Sequence, residues 1–491
     1  MIPVDPGLSG SRPSTVRLRR LPAAVAATRP IDAAEGFRDL PGLALLESAR
    51  PGRNARWTYL TADPVAVLET PAGGPDPFVV SRRLLGRMDP ARLADPAAPP
   101  FTGGLAGYLG YDLGHLLERL PSISLDDQGL PPLRLALHDW VVAWDRRTGT
   151  AWMAGRAVDG DVRRLARRLD DVHARLTTPR TADPRAADAR GAEARDAEAR
   201  DAADAAPLAF RSGLSREAYE ARVEAIRQHI AAGDIYQANL TRRLETAFDG
   251  DPWARYRRLR TGDPSLFSAY LDLGPSPETG RPRALLSASP EPFLSLDATG
   301  VVATDPIKGT RPRGRDRAED RALACELLAS AKDRAENVMI VDVLRNDLGR
   351  VCLPGTVRVP RLCRLERTAA VQHLVSTVTG QLAPGRDAFD LLAASFPGGS
   401  ITGAPKIRAM ELLEGLEPVR RGPYTGALGW IGPDGAMQTS ILIRTFVADG
   451  RRLTLHVGGG ITWGSDPAAE WEETVAKARG PLGAIGGEAV A

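Results

Sequence analysis

The chain has 491 residues, 43% apolar, 25% charged and 5% aromatic, so it can bury a large core over roughly two to four domain equivalents and is no disordered tail. Its 64 basic and 61 acidic residues leave a net charge of +3 with no long single-signed run, which excludes a nucleic-acid-binding arm. Only Lys308, Lys332, Lys406 and Lys477 stand against 60 arginines, and a lysine kept in such a background is enriched for chemistry that a permanently protonated guanidinium cannot perform.

At the N-terminus, Arg12, Arg17, Arg19 and Arg20 precede an apolar stretch, Leu21 to Ala27, too short to span a bilayer and weak as a signal peptide. Strand-like runs follow at Trp57 to Leu60, Trp140 to Trp144 and Ala151 to Met153, with a glycine-dense stretch from Phe101 to Asp112. From Thr177 to Ala206 no aliphatic or aromatic residue exceeds alanine, and Arg, Asp and Glu recur every few positions. This segment has no face to bury and reads as a linker or insertion over 177–210, between an N-terminal region 1–176 and a C-terminal domain 211–485.

Ser215 is placed to cap a helix whose Tyr219, Val223, Ile226 and Ile230 share a face, ended by Gly233. In Ile235 to Leu240 the period of two sets Gln237 and Asn239 opposite Tyr236, Ala238 and Leu240, either an exposed sheet face or a wall of a polar pocket. Strands are expected near Ala284 to Ser287, Val301 to Thr304, Gly426 to Ile431, Ser440 to Val447 and Leu453 to Val457. Helices are expected over Ala318 to Leu348, Ala388 to Ala394 and Pro467 to Ala478. The interleaving shows no βαβ repeat, which predicts an α+β fold with large mixed or antiparallel sheets flanked by helices. Cys325, Cys352 and Cys363 lack metal-ligand spacing and read as reduced core thiols of a cytoplasmic protein that binds neither membrane nor nucleic acid.

Three constellations carry chemistry. Glu470, Glu473 and Lys477 share one helix face, and Asp333 and Glu336 repeat the i, i+3 carboxylate spacing. They are either two solvated faces or a shared site for Mg²⁺, which completes its shell with water and substrate oxygens. Gly398 to Lys406 fails as a P-loop, since Ala404 and Pro405 intervene before the lysine and Ile407 follows it, but a glycine-rich turn here or at Gly458-Gly459-Gly460 can offer amides to an anion. Lys308 lies in a segment where Arg311 and Arg313 should depress its proton affinity, and Glu291 ends a strand upstream, a fair position for a general acid or base.

PIKGTRPRG, AENVMIVDVLRNDLGRV, VQHLVSTVTG, GGSITGAPKIRAMELLE, YTGALGW, ILIRT and GGGITWGSDPAAEWEETVAKA together resemble the chorismate-utilising enzymes, over nearly all of the chain after the linker. The N-terminal LLES, ARWTYLTADP and FTGGLAGYLGYD resemble the companion region of the aminating members, anthranilate synthase component I and aminodeoxychorismate synthase component I. There the LLES element, here Leu45, Leu46, Glu47 and Ser48, belongs to a tryptophan-binding pocket. Hydrating members carry a lysine base where this chain has Gln237, and anthranilate synthases read PIAGT where it has PIKGT with Lys308. The resemblance therefore implies the two-subdomain fold of anthranilate synthase component I and the amination of chorismate to 4-amino-4-deoxychorismate.

It further implies Lys308 as covalent nucleophile and Glu291 as proton shuttle, with Gln237 and His373 at the reaction centre. Gly309, Thr310, Thr402, Tyr424, Arg444, Lys477 and the Gly458, Gly459 and Gly460 amides would hold substrate. Mg²⁺ would rest on Glu336 and Glu473, with Asp333 and Glu470 close by through water; Asp333 is shorter than the Glu several relatives carry. No GxCxG glutaminase signature occurs, so ammonia is expected from a separate glutamine amidotransferase subunit. The rival readings are anthranilate synthase component I and a non-catalytic relative that binds tryptophan.

Overall fold

The computed structural model describes residues 15–50, 52, 55–70, 74–93, 95–177, 207–368 and 371–490. Arg12 and nearly all of the expected linker, residues 178–206, lie outside the described residues.

Two large sheets organise the chain. The larger, of thirteen strands among the described residues, runs Val16–Arg20, Thr150–Arg156, Trp140–Asp145, Trp57–Thr61, Ala44–Glu47, Phe267–Pro275, Pro282–Ser289, Thr445–Ala448, Arg452–Ile461, Gln237–Ala247, Leu208–Ser212 and Gly487–Val490, with Gly403–Ala404 beside Gln237–Ala247. The smaller, of ten, runs Ile307–Pro312, Val371–Gln381, Val301–Thr304, Pro292–Leu296, Met437–Ile441, Ala427–Ile431, Gly104–Leu109, Leu133–His138 and Ala66–Glu69, with Arg358–Arg367 also on Val371–Gln381. Pairing is antiparallel, with Gly487–Val490 on Leu208–Ser212 the parallel exception, so the α+β expectation holds. Both sheets draw on both sides of 178–206: Ala44–Glu47 pairs with Phe267–Pro275, and Gly104–Leu109 with Ala427–Ile431. The expected division into 1–176 and 211–485 is thus not a boundary in the fold, because composition marks where the chain is polar and says nothing of where ladders end.

Strand alternation sorts side chains into layers. In Phe267–Pro275, Tyr270 packs with Trp253 and Tyr256 on the outer face, while Ala269, Leu271 and Leu273 meet Tyr108, Leu285 and Leu428 between the sheets. Trp140, Val142 and Trp144 face outward, and Val141 and Ala143 face an inter-sheet patch around Tyr59, Phe101 and Trp430. Helices Val162–Thr177, Pro252–Gly262 and Pro467–Ile485 close the outer face of the larger sheet, and Ala331–Gly349 and Ala388–Ser395 that of the smaller. Each large side chain buried this way contributes about 1.5–3 kcal/mol. Among the described residues no helix is long and apolar enough to cross a membrane.

A ribbon bends from one sheet into the other. Pro282–Ser289 leaves the larger sheet through Pro290 and Glu291 to become Pro292–Leu296 of the smaller, and Met437–Ile441 returns through Arg444 into Thr445–Ala448. Ile441 N donates to Glu291 O and Ala288 N to Arg444 O, both at 3.0 Å, so the two crossings are bonded to each other. The single strand expected over Ser440 to Val447 is therefore two strands in different sheets. The helix expected over Ala318 to Leu348 is likewise two, Arg317–Ala329 and Ala331–Gly349, divided at Ser330, whose hydroxyl caps the second by accepting from Asp333 N at 3.2 Å. The Ser215 cap is present, with Tyr219, Val223 and Ile226 buried. Cys352 and Cys363 are buried free thiols, whereas Cys325 is exposed.

Because the sheets are shared, residues 1–177 and 207–491 expressed separately are expected not to unfold cooperatively, and to recover soluble, cooperative folding when co-expressed. Size-exclusion chromatography and thermal denaturation of the fragments check this; independent folding of the C-terminal piece would contradict it.

Candidate active site

Ile307–Pro312 pairs with Val371–Gln381 and slips register between Lys308 and Thr310, a bulge. Gly309 occupies it at φ +72°, and a Cβ there would lie 2.9 Å from Asp333 Cβ and Leu327 Cδ1, so close packing against the helix start excludes any side chain. Lys308 Nζ donates to Ser400 O at 3.1 Å, and Ser400 Oγ donates to Glu291 Oε1 at 3.0 Å. Burial holds the Lys308 amine below the usual lysine range against the pull of Glu291 and Glu336, and the charge of Lys477 lowers it further. Arg311 and Arg313 are compensated instead of acting on Lys308: Arg311 pairs with Glu326 at 2.7 Å and Asp333 at 3.2 Å, and Arg313 with Asp320 at 2.6 Å. Burial raises the Glu291 carboxyl, opposed by Lys308, the Ser400 hydroxyl, Lys477 and the Ile307 N–H. A low-affinity amine and a high-affinity carboxyl, bridged by one serine, suit a nucleophile beside a proton donor.

Helices Ala331–Gly349 and Pro467–Ile485 supply the carboxylates. Glu473 Oε1 pairs with Lys477 Nζ at 2.7 Å, which also donates to Gly458 O at 2.8 Å. Glu470 is buried, its Oε1 taking the Ser465 hydroxyl at 2.6 Å while Oε2 has no partner. Burial raises both Glu336 and Glu470, and the like charge of Glu473 adds to each, so carboxylates of two helices lie near enough to repel one another. Asp333 is drawn to Arg311. Among the described residues no group of three or more His, Cys, Asp or Glu side chains is placed to hold a metal ion. The orphaned Glu470 oxygen and the mutual repulsion nevertheless fit a hard cation that takes the rest of its shell from water and ligand, as Mg²⁺ does. At Gly459 a Cβ would stand 3.0 Å from Glu470 Oε2, so the bare backbone leaves the carboxylates room.

Gln237 is 1% exposed, and neither its Oε1 nor its Nε2 has a partner. An unpaired buried polar atom costs about 1–3 kcal/mol, so this amide has hydrogen-bonding capacity that the protein leaves unused. Both faces here are buried, Ala238 and Leu240 as well as Gln237 and Asn239, while Tyr236 is exposed, so the exposed-sheet-face alternative does not hold. Thr310 Oγ1 lies 2.9 Å from His373 Nδ1, and burial, helped by Arg50 and Arg444, lowers His373 to about 4. Arg444 sits at φ +49° in the sheet crossing, 3.4 Å from Asp263. Tyr424 is buried and stacks on His456 at 5.1 Å. Thr402 is wholly buried and its hydroxyl donates to Gly398 O at 3.0 Å, which leaves it no free proton for a ligand. Lys406 lies in a buried clamp with Asp347 at 2.8 Å and Ser395 O at 2.9 Å.

Sequence reading missed Ser400, Arg50, Asp263 and Arg421. The Arg421 guanidinium is 1% exposed, holds Glu417 at 2.7 Å, donates to Ile401 O at 3.0 Å and Asn239 O at 2.6 Å, and lies over Tyr111. It thereby fixes the turn Gly399–Ile401 against Gln237–Ala247. Only its double arginine, Arg420-Arg421, was visible in a chain full of arginine.

Leu46, Glu47 and Ser48 border a pocket between the sheets with Trp57, Tyr59, Leu266 to Ala269, Leu428 to Trp430 and Gln438 to Ser440. Leu45 points the other way, into the outer core, and alternation puts the Glu47 side chain on that same face. Glu47 is bound by Arg260 at 2.6 and 2.8 Å and by Tyr256 Oη at 2.7 Å.

Residues 45–483 match the family of chorismate binding enzymes. Anthranilate synthase component 1 of Streptomyces coelicolor is 42% identical over 90% of this chain and 83% of its own. Aminodeoxychorismate synthase component 1 of Salmonella typhimurium is 38% identical over 86% of this chain and 88% of its own. The crystal structure of anthranilate synthase component I from Streptococcus pneumoniae superposes with a TM-score of 0.74 at 29% identity, covering 88% of this chain and 93% of that one.

Gly309→Ala, strained in both φ and packing, is expected to lower the unfolding free energy by about 1–3 kcal/mol in denaturant titration. The His373 ring is expected to stay neutral down to about pH 5 in histidine NMR titration, given its lowered proton affinity.

Proposed function

The chain belongs to the chorismate-binding enzymes, and within that family we propose that it is the chorismate-aminating component of an aminodeoxychorismate synthase, with anthranilate synthase as the alternative. The observation that carries the choice is Lys308: an amine with lowered proton affinity, hydrogen-bonded to Ser400 O in the PIKGT segment and bridged through that serine to the buried Glu291. The anthranilate alternative draws on relatives of that name at similar identity and on the retained LLES pocket.

In this reading the neutral Lys308 amine attacks C2 of chorismate. The ring double bonds shift, the C4–O bond breaks, and the departing hydroxyl takes the Glu291 proton and leaves as water. Ammonia then adds at C4, the electrons return, the C2–N bond to Lys308 breaks, and Glu291 takes up the proton that ammonia sheds. Hydroxide leaves poorly without an acid, which is why a carboxyl with raised proton affinity belongs here. Glu336 and Glu473, with Glu470 and Asp333 near, would hold a Mg²⁺ ion that supplies positive charge for the ring carboxylate. Arg444 and the Gly458 to Gly460 backbone would hold the remaining oxygens, and Gln237 would meet a polar group of the ligand. The sequence has no GxCxG glutaminase signature, so a glutamine amidotransferase subunit is the proposed partner, in the cytoplasm, with free ammonium as a substitute in vitro. Tryptophan is the proposed ligand of the LLES pocket.

Incubation with chorismate, Mg²⁺ and ammonium, followed by mass spectrometry, is expected to yield 4-amino-4-deoxychorismate; anthranilate with pyruvate would establish the alternative, and tryptophan binding without turnover a non-catalytic relative. Lys308→Ala is expected to abolish the aminodeoxychorismate product, and unchanged formation would remove the covalent role. Glu473→Gln is expected to raise the Mg²⁺ concentration for half-maximal turnover by about 10–100-fold.

A further inference from the structure

Ser400 touches both reacting groups of the proposed mechanism and has no role in it so far. Its carbonyl accepts Lys308 Nζ at 3.1 Å and its hydroxyl donates to Glu291 Oε1 at 3.0 Å. No ion pair joins Lys308 directly to Glu291 among the described residues, although both are bonded to Ser400. The serine is itself fixed: it is 8% exposed, sits in the short turn Gly399–Ile401, and the carbonyl of the next residue, Ile401, is held by the buried Arg421 at 3.0 Å. A Cβ at Gly399 would stand 2.6 Å from Val343 Cγ1, so the turn is pressed onto the Ala331–Gly349 helix as well.

We propose that Ser400 is a positioning residue that sets the acid against the nucleophile: its hydroxyl occupies Glu291 Oε1 and leaves Oε2 as the proton-bearing oxygen, while its carbonyl directs the Lys308 amine. This rests on the reading of Lys308 and Glu291 as nucleophile and acid. A protonated carboxyl oxygen accepts more weakly than the bare one, so a hydroxyl proton aimed at Oε1 favours Oε2 as the site of the proton that Glu291 delivers. The lone pair of the neutral amine is free to react when an N–H points at the Ser400 carbonyl. The charged groups that face the Glu291 carboxyl are Lys308 and Lys477, and Lys308 is faced in turn by Glu336 and Glu473.

The test is the pH profile of chorismate consumption by the full chain with Mg²⁺ and ammonium, read independently of which product forms. The Ser400 hydroxyl stabilises the ionised carboxyl, so Ser400→Ala is expected to move the alkaline limb of kcat upward by about half to one pH unit, one net hydrogen bond's worth. It should also lower kcat about 10–100-fold with KM changed less than about threefold. Ser400→Thr, which keeps a hydroxyl, is expected to return the limb and most of kcat, and thermal melts of both variants should match the native chain. An Ala variant with native kcat and limb overturns the proposal. So does a folded Ala variant that is slow with an unmoved limb and is not rescued by Thr, which would mark a merely structural serine. If the native chain makes anthranilate, the proposed function fails while the Ser400 result still stands or falls on the limb; a native chain that consumes no chorismate overturns both.

Discussion

The ribbon that bends from the larger sheet into the smaller is the constraint from which the site follows. The central strands of both sheets are buried on both faces, yet part of the site stands on the ladders themselves: Lys308 on Ile307–Pro312 and Gln237 on Gln237–Ala247. The ribbon adds two charged groups on backbone that has left one ladder and not yet joined the next. Glu291 and Arg444 stand at the two crossings of this ribbon, held together by Ile441 N to Glu291 O and Ala288 N to Arg444 O. The bend also accounts for the left-handed backbone of Arg444, where the strand turns without a glycine.

Around that bend the charges are arranged to leave two groups reactive. Lys308 and Glu291 lie close enough to feel each other, and in water they would form an ion pair. Burial opposes charge on both, and the serine between them keeps them from direct contact. The nearby arginines cannot disturb this balance, because Arg311 and Arg313 are neutralised by Asp333, Glu326 and Asp320. Arg421 acts on the backbone instead. As a buried cation shared between Glu417 and two backbone carbonyls, it locks the Gly399–Ile401 turn to Gln237–Ala247, and such a pair is costly to break from one side.

The scarcity of lysine proved a partial guide. Lys308 and Lys477 face the site, and Lys332 lies 4.0 Å from Glu336, but Lys406 is a buried clamp on Asp347. The i, i+3 carboxylates were legible because helical spacing alone puts Glu470 and Glu473 on one face; that Glu336 of another helix lies near enough to feel the charge of Glu473 was not. Ser400 carried no signal, since a serine in a glycine-rich turn reads as turn chemistry whatever it touches.

From sequence alone came the α+β class, most strand and helix positions, the Ser215 cap and, through seven ordered motifs, the chorismate-binding family. These rest on local periodicity, on capping and on motif identity, all of which are written within a few dozen residues. Only the tertiary structure decided that Ser440 to Val447 is split between two sheets, that the N- and C-terminal parts share both of them, that Leu45 turns away from the pocket its neighbours line, and that Thr402 keeps its hydroxyl for Gly398. Each depends on which strand lies beside which, and hydrogen-bond ladders between residues hundreds of positions apart leave no periodic trace in either partner.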